Sequence, residues 1–342
     1  MAERVVLHVG APKTGTTFLQ AVLFQNQGRL REQGVLVPGK LPRFHARAAT
    51  GVRLGPDSAQ HQAWRGVLDQ SREWPGTVLV SGEWFSMASE ARTAEAMRDL
   101  HGVGEVHVVA TARDLVDQVP AAWQETLKLG DSSSIDAFSA GLDRPDGRWR
   151  WSVLDVAPVL DRWAATLPPR QAHVVTVPPR GSAPELLWNR FASACGIDPS
   201  WCSTDVSFAR ESLGVDAARL LQLAGPRLRA AIDADNSGWH EPYRWIQRYL
   251  SHGMLLRHRG GRITMSSEQV ASVRERSERS VAQLRERGYD VVGDLADLTS
   301  SRLPDGAVHP ESIPDGDVLD VALHLVADML AEARRTAPAR QA

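Results

Sequence analysis

The chain alternates between short, almost wholly apolar runs and longer stretches in which apolar residues recur at helical spacing. Short apolar runs of this kind are typical of strands buried on both faces, and the helical stretches between them are typical of a parallel α/β sheet. The predicted strands are Val5–Val9, Thr77–Ser81, Glu105–Thr111 and Ala172–Val177. The predicted helices between and after them are Thr14–Arg31, His61–Glu73, Ala88–Leu100, Leu115–Leu129 and Val153–Thr166.

The pattern changes after Pro178 and Pro179, where predicted strands stop and helices dominate. We therefore predict an α/β fold, a parallel sheet with helices on both faces, completed by a helical C-terminal region. Residues 1–180 should form the core, residues 181–336 a mainly helical part of the same domain, and residues 337–342 a flexible tail. The later predicted helices are Pro184–Cys195, Val215–Ala234, Pro242–Leu256, Ser267–Arg287 and Val318–Arg335.

Composition narrows the class of protein. Of the 342 residues, 43% are hydrophobic and 23% charged, as in globular domains, and the net charge of −2 gives no basic field for nucleic acid or membranes. No apolar run approaches the ~20 residues that span a bilayer, and the first strand begins too early for a signal peptide. Cys195 and Cys202 have neither disulfide-framework nor zinc-site spacing. We expect a cytoplasmic protein with no nucleic-acid or membrane partner; a homodimer is left open.

The loop after the first predicted strand has the spacing of a phosphate-binding loop. Gly10 and Gly15 allow backbone N–H groups and a helix N-terminus to converge on one anion. In the nucleoside-triphosphate loop a lysine directly follows the second glycine. Here that position is Thr16, and the lysine is Lys13, three places earlier. The sequence therefore predicts an anion cradle without the ATP pattern; the alternative is a glycine-rich turn that binds nothing.

Two further charged residues follow predicted strands. Glu83 comes just after Thr77–Ser81, and Arg113 comes just after Glu105–Thr111. Since the carboxyl ends of parallel strands meet at one sheet edge, we expect both near the Lys13 loop. A cation-bearing anion loop, a carboxylate and an arginine suit group transfer from a nucleotide-like donor. Without such a role, Glu83 would cap a helix or form a salt bridge, and Arg113 would pair with a nearby aspartate.

The segment Pro-Lys-Thr-Gly-Thr-Thr after a first strand resembles the 5′-phosphosulfate loop of sulfotransferases that use 3′-phosphoadenosine 5′-phosphosulfate (PAPS). The resemblance implies a P-loop-like fold and metal-free sulfuryl transfer from PAPS to a hydroxyl or amine of a small-molecule or glycan acceptor. The donor-binding residues implied in the loop are Pro12, Lys13, Thr14, Gly15, Thr16 and Thr17. Lys13 and the loop amides would stabilise the leaving oxygen, and Glu83 would accept the proton. His45 is the rival base.

The resemblance also implies a site for the 3′-phosphate. Arg113 matches the family's arginine, but the serine expected eight residues later falls on Ala121. Gln118 or Gln124 could donate the missing hydrogen bond, and Trp123 could stack on adenine.

A late basic loop with two glycines, which includes Arg259 and Arg262, matches the loop that such enzymes often close over this phosphate. Alternatively, these basic residues form a solvated surface and bind no phosphate.

Two rival functions remain open. A kinase would share the sheet and the loop, but it would need a lysine after Gly15 and magnesium ligands, for which Thr17 and Glu83 are the nearest candidates. A degenerate member of the family would bind the nucleotide without turnover, and the loss of the serine at Ala121 is what supports it.

Overall fold

A computed structural model of the chain describes residues 1–183, 185–206, 212–232, 240–258, 260–300 and 306–336. Its centre is a six-stranded sheet in which all strands are parallel, in the order β2-β3-β1-β4-β5-β7. These strands are β1 (Arg4–His8), β2 (Val35–Leu36), β3 (Thr77–Ser81), β4 (Glu105–Ala112), β5 (Ala172–Thr176) and β7 (Asp290–Val292). The order confirms the predicted fold class, a parallel sheet with helices on both faces.

Alternate residues of the central strands enter two separate cores, because side chains of a strand point to opposite faces in turn. Val6 and Leu79 belong to the core on one face, which α1 and α10 cover. Val5 and Val78 belong to the core on the other face, with residues of α3, α4, α5, α9 and α12. Burial on both faces explains why the middle residues of β1 and β3 are all apolar, with polar residues such as His8 and Ser81 at the strand ends.

The helices of the structure have these bounds: α1 (Thr16–Gln25), α2 (Gln27–Glu32), α3 (Pro42–Leu54), α4 (His61–Glu73), α5 (Glu90–His101), α6 (Leu115–Leu127), α7 (Ile135–Ala140), α8 (Trp151–Leu154), α9 (Val156–Trp163), α10 (Glu185–Cys195), α11 (Val215–Ile232), α12 (Ser267–Arg287) and α13 (Asp315–Thr336). A π-helix spans Pro242–His252. No described helix is both long and apolar enough to cross a membrane.

The chain divides into two compact units that interleave along the sequence. The first contains residues 1–118, 142–208 and 272–301, and so holds the six-stranded sheet. The second contains residues 119–141, 209–271 and 302–342. In the second unit, α13 packs against α11, and β6 (Arg262–Ile263) pairs in parallel with β8 (Ala307–Val308). The predicted boundary near residue 180 stays a prediction.

Several predicted elements need correction. Strands do not stop at Pro179, because β7 pairs with β5 at the sheet edge and β6 pairs with β8. The helix predicted over Thr14–Arg31 is divided at Asn26, whose side-chain amide donates to the carbonyl oxygens of Val22 and Ser203. The helix predicted over Val153–Thr166 is divided at Asp155, whose carboxylate accepts from the backbone N–H of Ala157 and begins α9.

Candidate active site

The Lys13 loop joins β1 to α1 and is held by backbone hydrogen bonds to β4. The N–H of Ala11 donates to the carbonyl oxygen of Thr111 (3.1 Å), and the N–H of Thr111 donates to that of Gly10 (2.6 Å). Gly10 has φ 103°, and a Cβ there would lie 3.0 Å from the carbonyl oxygen of Glu83. Only glycine fits this conformation and this close approach, so the loop lies directly against the segment after β3.

A buried polar network supports the loop from below. The Thr14 hydroxyl contacts the Thr111 hydroxyl and donates to the carbonyl oxygen of Ala11. His8 lies between two strand ends, with Nδ1 2.8 Å from Ser81 Oγ and Nε2 3.1 Å from Thr111 Oγ1. Burial lowers the pKa of His8 to about 3, so its imidazole is neutral at physiological pH. The network fixes the loop without placing a charge beneath it.

The N-terminus of α1 points into the loop without a side-chain cap. Gly15 is the N-cap residue at φ 91° and makes no side-chain capping hydrogen bond, and no acidic residue lies in the first turn. A Cβ on Gly15 would lie 2.5 Å from Leu187 Cδ2. Thr17, in the same turn, is exposed. Uncapped amides at the positive end of a helix are a binding site for an anion.

Glu83 lies beside this helix start. It follows β3 after Gly82 and is half-buried, and its Oε2 accepts a hydrogen bond from the Thr16 hydroxyl at 3.0 Å. The side chain of Gln20, one turn further along α1, donates to the carbonyl oxygen of Ser81 at 2.6 Å. These two contacts hold the end of β3 against the first turns of α1. The predicted base therefore lies at the predicted anion loop.

Arg113 reaches the loop from the other side, where β4 ends. Its Nη1 donates to the carbonyl oxygen of Lys13 at 3.2 Å. Burial lowers the pKa of the Arg113 guanidinium, and the nearby carboxylate of Asp117, 3.9 Å away, opposes that shift. The group stays cationic, since arginine does not deprotonate in proteins.

Arg180 extends this charged group, and the sequence analysis missed it. Its Nη2 and Nε donate to the carboxylate of Asp117 at 2.6 and 3.2 Å, while about half of the Arg180 side chain stays exposed. Arg180 lies four residues beyond the end of β5, whereas Arg113 directly follows β4. Its position just beyond a strand end is the signal that could have identified it.

Gln118 occupies a different place from the one predicted. It is buried, and its side-chain Nε2 donates to the carbonyl oxygens of Pro12 (2.8 Å) and Leu154 (3.0 Å). Both amide hydrogens are thus used within the protein, and the Pro12 contact steadies the loop. Gln124 is similarly engaged, since its Oε1 accepts from the N–H of Leu213 and its Nε2 donates to the carbonyl oxygen of Pro120. In this arrangement the Gln118 amide has no hydrogen to spare for a phosphate.

His45 lies in α3 and is completely buried. Its Nδ1 accepts a hydrogen bond from the backbone N–H of Ser81 at 3.1 Å, and its ring packs against that of Phe24. Burial lowers the pKa of His45 to about 4. The structure gives His45 a role in holding the end of β3 and leaves it no contact with solvent.

The remaining predicted residues lie outside the first unit or outside the described chain. Trp123 is buried in the second unit, where its indole N–H donates to the carbonyl oxygen of Ser133 at 2.9 Å. Arg262 is an exposed residue of β6, also in the second unit. Arg259 is outside the described residues.

The first unit thus brings the Lys13 backbone, the Glu83 carboxylate and the Arg113 guanidinium, with Arg180 beyond it, together near the N-terminus of α1. The arrangement can bind a polyanion, stabilise charge that develops on it and accept a proton. Within the described ranges, no group of three or more histidine, cysteine, aspartate or glutamate residues is arranged to hold a metal ion. The predicted residues that meet here are Pro12, Lys13, Thr14, Gly15, Thr16, Glu83, Arg113 and Gln118.

Comparison with protein-family models gives no match, and comparison with curated proteins gives none either. Among solved structures, the chain is similar to a sulfotransferase from Alicyclobacillus acidocaldarius, with 16% identity and a TM-score of 0.41. The alignment covers 70% of this chain and 99% of that one. Values in this range assign no activity, so function has to be argued from the site.

Proposed function

We propose that the protein transfers the sulfuryl group of PAPS to a hydroxyl or amine of a small-molecule or glycan acceptor. The observation that carries the proposal is the position of Lys13. It lies inside the loop between β1 and α1, its own carbonyl is held by Arg113, and the uncapped turn beside it contacts Glu83 through Thr16. The loop that carries Lys13, the first turn of α1 and the Glu83 carboxylate therefore lie next to one another at the sheet edge.

The reaction requires two contributions from these residues: stabilisation of charge on the leaving oxygen and removal of a proton from the acceptor. As the acceptor oxygen or nitrogen bonds to sulfur, the bond from sulfur to the 5′-phosphate oxygen breaks, and its electron pair leaves with that oxygen. Lys13 and the amides of α1 stabilise the charge that develops there, because they are fixed in place before the reaction begins. Glu83 takes the proton that the acceptor loses. Thr16 holds the Glu83 carboxylate at this position through a hydrogen bond to Oε2.

Arg113 and Arg180 are the groups we assign to the 3′-phosphate. Both guanidiniums converge on Asp117, and Arg180 remains half exposed. Arginine gives paired hydrogen bonds to phosphate oxygens. In this proposal Arg180 supplies a contact that the family obtains from the serine missing at Ala121.

The position of the cation separates this proposal from the kinase. A P-loop kinase places its lysine directly after the second glycine, where Thr16 lies here and donates to Glu83 instead. Only a measurement of turnover can distinguish this proposal from a degenerate family member that binds the nucleotide without catalysis.

The test is release of adenosine 3′,5′-bisphosphate from PAPS with a panel of phenols, alkyl alcohols, amines and sugars. ATP with Mg²⁺ is assayed in parallel with the same acceptors. We expect acceptor-dependent release from PAPS. Phosphoryl transfer from ATP would establish the kinase, and tight binding of the bisphosphate without release under any acceptor would establish the degenerate binder.

A further inference from the structure

Helix α13 exposes a continuous apolar stripe, which we call the α13 seam: Leu319, Leu323, Val326 and Leu330. These side chains are 57–63% exposed, which is unusual for four large apolar residues on one helix. The other side of the helix, including the buried Val318 and the half-buried Val321 and Leu325, faces the chain itself, and α13 packs on α11. The helix is therefore apolar on two sides, and the parts of the chain that the structure describes cover only one of them.

The spacing of the seam is that of a helix pair. Its residues follow one another at intervals of four, three and four, so they occupy the a and d positions of a heptad. The helix has 22 residues and is about 33 Å long. Ala333 continues the pattern, and Ala327 beside the seam is small enough to allow close approach.

Charged residues border the seam with opposite signs at its two ends. Asp320 lies beside its beginning and Arg334 beside its end, each at the heptad position next to a d residue, and both are exposed. No side chain in the described parts of the chain forms an ion pair with either of them within 4 Å. The helix is acidic in its first turn and basic in its last.

At the acidic end of α13, three aspartates line one surface cavity together with His258 and His324. The aspartates are Asp320, Asp216 and Asp317. Burial raises the pKa of the Asp216 carboxyl, and Asp317 raises it further. A cation brought here by another molecule would therefore relieve repulsion among these carboxylates.

We propose that the α13 seam pairs in antiparallel orientation with the α13 seam of a second copy of this chain. Centred near Ala327, this pairing places Val326 against Leu330 of the partner subunit and Asp320 opposite Arg334 of the partner subunit, twice by symmetry. A parallel pair would instead bring Asp315 near Asp320 of the partner subunit. Charge thus selects the antiparallel homodimer, and this proposal is independent of the proposed catalytic function.

The test is sedimentation equilibrium of the full chain, whose monomer mass is 37.4 kDa, in low and high salt. We expect a dimer. Leu323→Glu with Leu330→Glu should give a monomer. Asp320→Arg alone and Arg334→Asp alone should each weaken the dimer at least tenfold, because each creates two like-charge pairs. Arg279→Asp, an exposed charge reversal on α12, is the control that should leave it unchanged.

The double variant Asp320→Arg with Arg334→Asp should restore the dimer, and an equimolar mixture of the two single variants should form a heterodimer. These variants alter only exposed side chains, so they keep the test decisive even if the leucine variant fails to fold. The proposal would be overturned if the chain were a monomer at 100 μM or if the seam variants left the dimer affinity unchanged. It would also be overturned if the double variant dimerised as weakly as the single variants.

Discussion

Lys13 has φ 65°, a backbone conformation that residues other than glycine seldom adopt. Such a residue costs of order 1 kcal/mol and persists only where surrounding contacts hold it. Here the guanidinium of Arg113 holds its carbonyl oxygen, and Gln118 holds that of the preceding Pro12. The strained lysine therefore lies where the proposed mechanism needs a fixed cation.

Replacing Lys13 by methionine should lower kcat by about 10²–10³-fold, the effect typical of removing one donor to a developing oxyanion. The loss should appear in kcat, because the charge on the leaving oxygen is complete only in the transition state. Steady-state kinetics at saturating PAPS measures it, and Lys40→Met, on an exposed residue, is the matched control. A Lys13→Met variant with normal kcat would remove this lysine from the chemistry.

Replacing Glu83 by glutamine should lower kcat by about 10²–10⁴-fold, the range for loss of a general base. Glutamine keeps an oxygen that can accept from Thr16, so donor binding should change little. His45→Asn should keep nearly full activity, because asparagine can still accept from the Ser81 N–H and the ring it replaces is buried. If the His45 variant is inactive and the Glu83 variant is active, the base has been misassigned.

Among the elements, β1, β3 and α3 meet around Ser81, where His8 and His45 are both buried and neutral. Their pKa values of about 3 and 4 lie below the ordinary value of 6.5. At pH values between the lowered pKa and 6.5, the unfolded chain binds more protons than the folded chain. The free energy of unfolding therefore decreases as the pH falls from 6.5 towards 4. Each histidine contributes a slope of up to about 1.4 kcal/mol per pH unit.

Urea unfolding between pH 7.5 and 5 measures this dependence. His45→Asn should reduce the slope below pH 6.5 by the contribution of one histidine, whereas His101→Asn, on the surface, should leave it unchanged. An identical slope in the His45 variant would show that this ring takes up its proton in the folded state.

Periodicity predicted the bounds of some elements and missed the shortest strands. Three elements have the predicted bounds: Thr77–Ser81, His61–Glu73 and Ser267–Arg287. In each of them, burial of one stripe or of both faces produces a regular hydrophobic pattern over several successive residues. In α12 the apolar residues at helical spacing, which include Val270 and Leu284, are buried. The strands β2 and β7, with two and three residues, are too short to carry a period and are strands only because a neighbour pairs with them.

The candidate site also contains residues that the sequence could predict and residues that it could not. The Lys13 loop, Glu83 and Arg113 were predictable because each directly follows a buried strand, and strand ends of a parallel sheet share an edge. The hydrogen-bond partners of Gln118 and Arg180 were not predictable, because these partners, Pro12 and Asp117, are 106 and 63 residues away in sequence. Local pattern cannot say which carbonyl or carboxylate a distant side chain will reach.

On the scale of the whole molecule, the sheet order explains why the site forms where it does. After β1 the chain builds β2 and β3 on one side, then returns to place β4, β5 and β7 on the other. The carboxyl end of β1 is therefore the point where the order of strands reverses, and ligands of open α/β sheets bind at such points. Lys13 lies there, with Glu83 from one neighbouring strand and Arg113 from the other.

The most direct test of this account is calorimetric titration of the full chain with adenosine 3′,5′-bisphosphate in buffer containing EDTA. Because Lys13, Arg113 and the amides of α1 supply the positive charge themselves, we expect binding without a divalent metal. Binding should weaken in Arg113→Met and Arg180→Met and should persist in Glu83→Gln. The account would be contradicted if the bisphosphate failed to bind in EDTA while ATP bound once Mg²⁺ was restored.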